Sequence, residues 1–272
     1  RLGSDKFYEY MIKFGFDKKT GIDLPGEAVG IMHKKDKIGP VELATMSFGQ
    51  SFQITPLQLI RAISAAVNGG RLVTPHFALG LKDEGGKTVK TFEYEDAGNP
   101  ISAETSERMK KILESVVAVG TGNKTYIPGY RIGGKTATSE KLPRKSGKYI
   151  ASFCAFAPAE NPQVIAIVLV DEPQGVYYGG QVAGPVMKEL LTNALPYLGI
   201  SPQYTEEELE MEGVAPLTVG NYVGMIVGAA KNEGVKNKVT IEIIGEGENV
   251  KSQFPPEGTA INQNSKILLY TD

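Results

Sequence analysis

The chain has 272 residues, of which 41% are hydrophobic and 22% charged, so it can build one large or two ordinary domains and lacks the composition of a disordered protein. Its 29 basic and 31 acidic residues give a formal net charge of −2, which argues against electrostatic binding of nucleic acid. The single cysteine, Cys154, excludes an internal disulfide framework, and with only two histidines beside it a zinc site is not expected.

The start of the chain shows no targeting segment. Residues 1–4 lack the basic and apolar regions of a signal peptide. The most apolar stretch, residues 164–170, is far shorter than the ~20 residues that a membrane-spanning helix needs. Because the chain has no initial Met and enters a helix almost at once, we interpret it as part of a longer protein.

Hydrophobic periodicity and turn signals predict a first half made mainly of helices. Ser4 is predicted to cap the first helix, and Thr55-Pro56 to begin the third, because threonine is a good N-cap and proline suits the first helical turn. The predicted elements are helices over 4–15, 42–48, 56–67 and 103–119, a turn-rich segment over 19–27, and strands over 72–81 and 88–92.

The second half is predicted to contain a sheet and then a small separate module. Strands are predicted over 130–138, 149–157 and 163–170, followed by a helix over 182–195. This order favours an α+β fold with a mostly antiparallel sheet flanked by helices. Residues 201–213 are polar and acidic and predict a solvated linker that few contacts cross. The tail, residues 214–272, is predicted to hold a helix over 222–233 and strands over 239–244, near 250 and over 266–270.

Residues 129–136 match the phosphate-loop pattern G-x-x-x-x-G-K-[ST] letter for letter. That loop needs a hydrophobic strand before it and a helix directly after it, because the helix N-terminus holds the phosphates. Neither is predicted here, and Pro143 would disrupt a following helix. Nucleotide binding is therefore not the interpretation we adopt.

The same residues favour a strand that lines a groove. Lys135, Thr136, Ala137 and Thr138 would present an ammonium, two hydroxyls and backbone N–H groups along one strand. This set suits a substrate carboxylate and a developing oxyanion. Taken alone, such a strand is also typical of an ordinary exposed sheet face, and the neighbouring sequence has to decide between the two.

Several stretches in their order resemble the class B penicillin-binding proteins. Residues 129–141 are similar to the third signature strand of these transpeptidases, usually Lys-Thr-Gly-Thr. The other stretches are KTGIDLPGE at 19–27, SFGQS at 47–51 running on to ITPLQ at 54–58, NGG at 68–70 with TPH at 74–76, and ASF at 151–153 through FAP at 156–158. The resemblance covers roughly residues 1–200 and implies the C-terminal part of a β-lactamase-like transpeptidase domain.

The resemblance also implies roles for individual residues. Lys135 would contribute positive potential, Thr136 and Thr138 would hydrogen-bond the substrate carboxylate, and the Thr138 N–H would serve as one oxyanion donor. Ala137, also counted in the substrate-binding strand, stands where the family usually has glycine, so its methyl would narrow the groove. No cofactor and no metal are implied.

The family mechanism needs a Ser-x-x-Lys and a Ser-x-Asn motif, and the 272 residues contain neither. In the family both motifs precede the region that matches the start of this chain. We therefore expect the nucleophilic serine upstream, in a protein that crosslinks peptidoglycan stem peptides, and we expect these 272 residues alone to be inactive.

The tail resembles a PASTA module on the strength of VKSQFPPEGT at 250–259 followed by an apolar strand. The two resemblances together imply stem peptides and β-lactams as ligands, a wall or muropeptide contact through PASTA, and division or sporulation proteins as partners. They further imply a Gram-positive protein at the extracytoplasmic face of the membrane, with an anchor upstream.

A second interpretation stays open, namely a non-catalytic wall-binding or scaffolding protein that keeps the transpeptidase shape. Ala137 and the absent nucleophile would favour it if no further segment preceded this one. Other chemistry-bearing residues have simpler explanations: Cys154 lies in an apolar strand, His33 and His76 lack triad partners, and Asp171-Glu172 precedes Pro173 and is typical of a loop terminus.

Overall fold

The computed structural model describes residues 2–143, 145–211 and 214–272. Its α-helices are α1 (Ser4–Lys13), α2 (Pro40–Met46), α3 (Pro56–Val67), α4 (Ala103–Ala118), α5 (Gly179–Tyr197), α6 (Glu206–Glu210) and α7 (Val227–Lys236). Its strands are β1 (Gly80–Lys82), β2 (Thr88–Thr91), β3 (Gly133–Glu140), β4 (Tyr149–Ala157), β5 (Val164–Asp171), β6 (Leu217–Thr218), β7 (Thr240–Ile244), β8 (Ser252–Phe254), β9 (Ala260–Ile261) and β10 (Lys266–Tyr270). Among these residues no helix combines the length and the apolar character needed to cross a membrane.

The centre of the larger part is an antiparallel sheet in the order β3-β4-β5. Helix α5 packs on one face of this sheet, and α3 and α4 pack on the other. The middle strand β4 is buried from Ala151 to Ala157 because both of its faces are covered. The predicted α+β fold with a mostly antiparallel sheet flanked by helices is confirmed.

The α5 face of the sheet contains the main hydrophobic core. Its most buried members on the sheet are Phe153, Ala155 and Ala157, which alternate along β4 as the pleat requires. Helix α5 contributes four residues at helical spacing, each fully buried: Ala183, Met187, Leu191 and Leu195. This packing fixes the position of α5 against β3 and β4.

The helix predicted to begin at Thr55-Pro56 is confirmed. The Thr55 hydroxyl accepts a hydrogen bond from the Gln58 N–H, and the Gln58 side chain accepts one from the Thr55 N–H. The predicted cap of the first helix is wrong. Gly3 occupies the N-cap position, with no side-chain hydrogen bond, and Ser4 is already helical.

The strand predicted over 72–81 is also wrong, since only residues 80–82 form β1. Leu72 instead exchanges backbone hydrogen bonds with the loop at 97–98. Further on, the Asp23 carboxylate accepts hydrogen bonds from the N–H groups of Phe77 and Ala78. The backbone groups of Leu72, Phe77 and Ala78 are therefore bonded to a loop and to a side chain, and not to a neighbouring strand.

The tail forms a small module with its own core. Strand β10 pairs in parallel with β7 and antiparallel with β8, while β6 pairs with β9. Tyr222, Ala230, Ile267 and Leu269 are all nearly inaccessible to solvent. The helix predicted over 222–233 begins later, at Val227, because the Tyr222 N–H is held by the Gln253 side chain in a turn.

The segment predicted to be a solvated linker that few contacts cross is an ordered connection in its described part, residues 201–211. Thr205 and Glu208 form a capping box that begins α6. Glu208 and Gln203 also hydrogen-bond residues 126–129 of the larger part. Residues 212–213 of the predicted linker lie outside the described residues.

Candidate active-site groove

Strand β3 places its side chains alternately on two different surfaces. Lys135, Ala137 and Ser139 are exposed on one face. Thr136 and Thr138 are half-buried on the face that α5 covers. The strand therefore does not present all four predicted site residues in one direction. Lys135 and the two threonines can meet only around the edge of the strand.

The hydrogen-bond register shows which backbone groups point to that edge. The Lys141 N–H donates to the Lys148 carbonyl at 2.8 Å, just beyond the last β3–β4 pair. The direction of the backbone N–H groups alternates from one residue to the next along an antiparallel strand. The N–H groups of Lys135 and Ala137, like that of Lys141, therefore point toward β4. The N–H groups of Thr136 and Thr138 consequently point to the outer edge of the sheet.

The Lys135 side chain curls back to the same edge. Its Nζ donates a hydrogen bond to the Thr136 carbonyl oxygen at 2.7 Å. Because that carbonyl shares the outward direction of the Thr136 and Thr138 amides, the ammonium lies beside the backbone donors despite starting on the opposite face. The ammonium is thus held at a carbonyl that lies two positions before the outward N–H of Thr138.

The threonine hydroxyls are held by neighbouring elements. Thr138 Oγ1 accepts a hydrogen bond from the Gly179 N–H at 3.1 Å, and Thr136 Oγ1 lies 3.3 Å from Thr121 Oγ1. A hydroxyl that accepts from a backbone N–H still has its own proton, so Thr138 can also act as a hydrogen-bond donor.

The first residue of α5 approaches the sheet more closely than any side chain would allow. A Cβ atom on Gly179 would lie 2.3 Å from the carbonyl oxygens of both Ala137 and Ser152. On Gly180 it would lie 2.2 Å from the Thr121 carbonyl oxygen. Two glycines are therefore required for the positive end of a 19-residue helix to reach the threonine hydroxyls.

Three tyrosines form a stack next to this point. The rings of Tyr149 and Tyr177 lie 4.1 Å apart and nearly parallel, and Tyr178 follows at 4.7 Å. Tyr178 is also the N-cap residue of α5, directly before Gly179. The hydrogen bond to Tyr178 raises the pKa of Tyr177, so this hydroxyl stays protonated and uncharged. The stack supplies an aromatic wall beside a polar edge.

The remaining sequence candidates have structural roles. Residues 133–136 of the phosphate-loop pattern lie in strand β3, which continues to residue 140 where a phosphate loop needs a helix, and this removes the basis for phosphate binding. His76 stacks on Tyr94 at 3.9 Å between ring centres. Asp171 and Glu172 form ion pairs with Lys141 at the end of the sheet.

Cys154 lies opposite Lys135 in the β3–β4 ladder but is only 3% exposed. Burial raises the pKa of its thiol to about 12, and a thiol that is neither ionised nor accessible is a poor nucleophile.

We therefore expect Cys154 to resist a thiol-specific chromogenic reagent at about pH 8 and to react fully once denaturant unfolds the chain. A rapid reaction in the folded chain would contradict the burial described here. The unfolded sample is its own control, since the same single thiol is measured in both states.

The antiparallel sheet with α5 on one face and α3 and α4 on the other is the fold of penicillin-binding transpeptidase domains. The family described as penicillin binding protein transpeptidase domain matches residues 1–192, and the PASTA domain family matches residues 217–272. The chain thus belongs to the penicillin-binding protein transpeptidase family and carries a PASTA module, as the motifs predicted.

Individual relatives agree with this assignment. Stage V sporulation protein D of Bacillus subtilis is 41% identical over 279 residues, which cover 99% of this chain and 43% of that protein. Peptidoglycan D,D-transpeptidase FtsI of Escherichia coli is 33% identical over 196 residues, which cover 70% of this chain and 31% of that protein. The crystal structure of penicillin-binding protein 3 of Mycobacterium tuberculosis with ampicillin matches with a TM-score of 0.67 at 25% identity, covering 75% of this chain and 48% of that one. The chain spans less than half of the length of each of the three.

Sequence reasoning missed the residues that hold the site strand from the α5 side. The predicted helix began at residue 182 and left out Gly179 and Gly180, which are the first two residues of α5. Tyr149 carried no signal, because its partner Tyr177 lies 28 residues away and the stack exists only in the folded chain.

Proposed function

We propose that this chain is the C-terminal part of the catalytic domain of a serine D,D-transpeptidase that crosslinks peptidoglycan stem peptides and is acylated by β-lactams. The observation that carries the proposal is the outer edge of β3. There the Lys135 ammonium and the outward N–H of Thr138 lie beside the Thr138 hydroxyl, which the start of α5 orients, and the Thr136 hydroxyl, which contacts Thr121. This is a set of donors for one carboxylate and one developing oxyanion.

In the proposed reaction, a serine hydroxyl from a part of the protein outside these 272 residues attacks the carbonyl carbon of the penultimate D-Ala. The serine proton passes through a base to the departing amine of the terminal D-Ala, so the peptide C–N bond breaks as the serine ester forms. The amino group of a second stem peptide then attacks the ester, and the serine recovers its proton as the crosslinking peptide bond is completed.

The residues of this chain would bind and stabilise rather than attack. The Thr138 N–H would donate to the oxyanion of each tetrahedral intermediate, where one such donor typically contributes a factor of about 10² to 10³ in rate. The hydroxyls of Thr136 and Thr138 would bind the terminal carboxylate. Lys135 would hold that end of the groove positive and favour the carboxylate-bearing substrate.

Labelling with a fluorescent penicillin tests the proposal. A longer protein that carries these residues together with an upstream Ser-x-x-Lys should form a stable, stoichiometric adduct, whereas the 272-residue chain alone should form none. Stable labelling of the short chain would show that a nucleophile lies within it. Absence of labelling in a folded longer protein would favour the scaffolding interpretation.

Ala137 offers a test of groove width. Its methyl lies exposed on the same face as the start of the Lys135 side chain, so Ala137→Gly should raise the second-order acylation rate for bulky β-lactams by about twofold to tenfold. A glycine within a strand lowers the free energy of unfolding by only about 0.5–1 kcal/mol, so the melting temperature should change little.

The matched control is Ser139→Gly, which shortens the next side chain on the same face without touching the four site residues. An acylation rate for Ala137→Gly that stays level or falls would mean that the methyl does not narrow the groove.

The site is proposed to work at the extracytoplasmic face of the membrane, where stem peptides are found, in a protein anchored by a segment outside this chain. The PASTA module is proposed to contact the wall or muropeptides, and a role in sporulation or division is proposed, the first in keeping with the name of Stage V sporulation protein D. Pelleting of the chain with purified peptidoglycan tests the wall contact. Loss of pelleting on removal of residues 214–272 would support it, and unchanged pelleting would contradict it.

A further inference from the structure

The turn at residues 126–130 leads directly into the site strand. The Tyr130 N–H donates to the Ile127 carbonyl oxygen at 3.1 Å and closes this turn, whose Gly129 has a φ of 78°. Only Arg131 and Ile132 separate the turn from β3. The position of the turn therefore sets the position at which β3, with Lys135 and Thr138, enters the sheet.

A carboxylate from the connecting segment holds one side of this turn. Glu208 Oε1 accepts hydrogen bonds from the Tyr126 hydroxyl at 2.5 Å and from the Gly129 N–H at 3.0 Å. Its second oxygen accepts from the Thr205 N–H at 2.9 Å, which ties the same carboxylate to the start of α6. Burial and the hydrogen bond to Glu208 raise the pKa of Tyr126 to about 12, so its hydroxyl stays a donor.

The backbone of the connecting segment holds the same glycine. The Gln203 N–H donates to the Gly129 carbonyl oxygen at 2.7 Å, so both polar groups of Gly129 bond to residues 203–208. A Cβ on Gly129 would lie 2.7 Å from Pro202 Cβ, which leaves no space between the turn and this segment.

The tail module holds the other side of the turn. Asn262 Nδ2 donates to the Pro128 carbonyl oxygen at 3.0 Å, and Asn262 Oδ1 accepts from the Tyr204 hydroxyl at 2.5 Å. Asn262 follows Ile261, which is fully buried in the tail core, so its backbone is anchored in that module. A second contact joins the module to α5, where the rings of Tyr197 and Phe254 lie 5.0 Å apart.

We infer that the connecting segment and the tail module form a brace for the site strand, in which Glu208 and Asn262 are positioning residues that act through the turn at 126–130. The brace consists of residues 202–208 and Asn262. It assigns the PASTA module a role within the transpeptidase fold that is separate from any contact with the wall. Its consequence for acylation rests on the proposed function, whereas its effect on the strand does not.

Hydrogen exchange on the 272-residue chain tests the effect on the strand. Glu208→Ala and Asn262→Ala should each make the β3 amides that bond to β4, such as those of Lys135 and Ala137, exchange about tenfold faster, because each variant removes hydrogen bonds that oppose local opening at the start of the strand. The amides of β5, two strands away in the same sheet, should keep their rates. Tyr126→Phe, which removes one hydroxyl and preserves the packing, should give a smaller acceleration at the same amides.

The matched controls are Glu206→Ala on α6 and Gln263→Ala next to Asn262, which remove side chains for which the described residues show no hydrogen bond to the turn. They should leave β3 unchanged. Unchanged β3 rates in Glu208→Ala and Asn262→Ala would overturn the brace. Equal acceleration of β3 and β5 would overturn it as well, since that result indicates a loss of global stability only.

Penicillin acylation of the longer protein supplies the second readout. Asn262→Ala should slow acylation several-fold while leaving non-covalent penicillin affinity nearly unchanged, because a displaced strand misaligns the oxyanion donor more than it weakens binding. A matching loss of affinity and rate would contradict a positioning role. Faster β3 exchange without penicillin labelling in the parent would leave the brace standing and refute the proposed function.

Discussion

Gly179→Ala is expected to destabilise the larger part of the chain by about 3 kcal/mol, the upper end of typical overpacking costs. The added methyl would lie 2.3 Å from the carbonyl oxygens of Ala137 and Ser152, which belong to two paired strands and cannot swing aside as a side chain could. Relief requires α5 to move off the sheet. That movement would break the hydrogen bond from the Gly179 N–H to Thr138 and open the core beneath Ala183 and Met187.

Chemical denaturation of the variant and the parent measures this cost. The matched control is Gly228→Ala in α7, where the added Cβ would have no neighbour within 4 Å. That substitution should be neutral or slightly stabilising, because alanine loses less conformational freedom in a helix than glycine. If Gly179→Ala lowers the free energy of unfolding by less than about 0.5 kcal/mol, the close contact between the start of α5 and β3 is not required for stability.

Lys135→Ala in the longer protein is expected to slow acylation by penicillin by about 10² to 10³, comparable with the loss of one preorganised electrostatic contact. The ammonium lies at the outer edge of β3 through its hydrogen bond to the Thr136 carbonyl, beside the N–H of Thr138. Lys135→Arg should recover only part of the rate, because it keeps the charge but not the compact donor geometry.

Time-resolved labelling with a fluorescent penicillin gives the rate, and circular dichroism checks that the variant is folded. Lys148→Ala serves as the control, since Lys148 is an exposed lysine in an ion pair with Glu172 at the end of the sheet. An acylation rate for Lys135→Ala equal to that of the parent would remove Lys135 from the site.

Local sequence patterns predicted the elements whose signals lie within a few residues. The buried strand at 149–157 and the partly exposed strand at 164–171 were predicted to within one residue at each end, because hydrophobic residues run between clear turn signals. Helix α3 was predicted from Thr55-Pro56 for the same reason. The strand of Lys135 was correctly preferred over a phosphate loop on the grounds of what precedes and follows it.

The errors occurred where a distant partner decides the local structure. Helix α5 begins at Gly179, three residues before the predicted start, because only glycine permits the contact with β3 and β4. Residues 72–79 are not a strand because Asp23 and the loop at 97–98 take their backbone donors and acceptors. The capping box Thr205-x-x-Glu208 was readable in the acidic segment but was interpreted as a solvated charge run.

The candidate site, too, was predicted only where its signal is local in the sequence. Lys135, Thr136 and Thr138 were predicted from a motif, and their arrangement around one edge follows from strand register. The supporting groups could not be predicted, since Gly179, Thr121 and the tyrosine stack meet the strand only through tertiary packing.

The structure of a penicillin adduct of the longer protein tests the central claim most directly. The carbonyl oxygen of the acyl group should lie about 2.7–3.1 Å from the backbone nitrogen of Thr138, with the penicillin carboxylate at the hydroxyls of Thr136 and Thr138 and close to Lys135. An adduct whose carbonyl and carboxylate both lie away from the outer edge of β3 would contradict the assignment of this strand as the active-site strand.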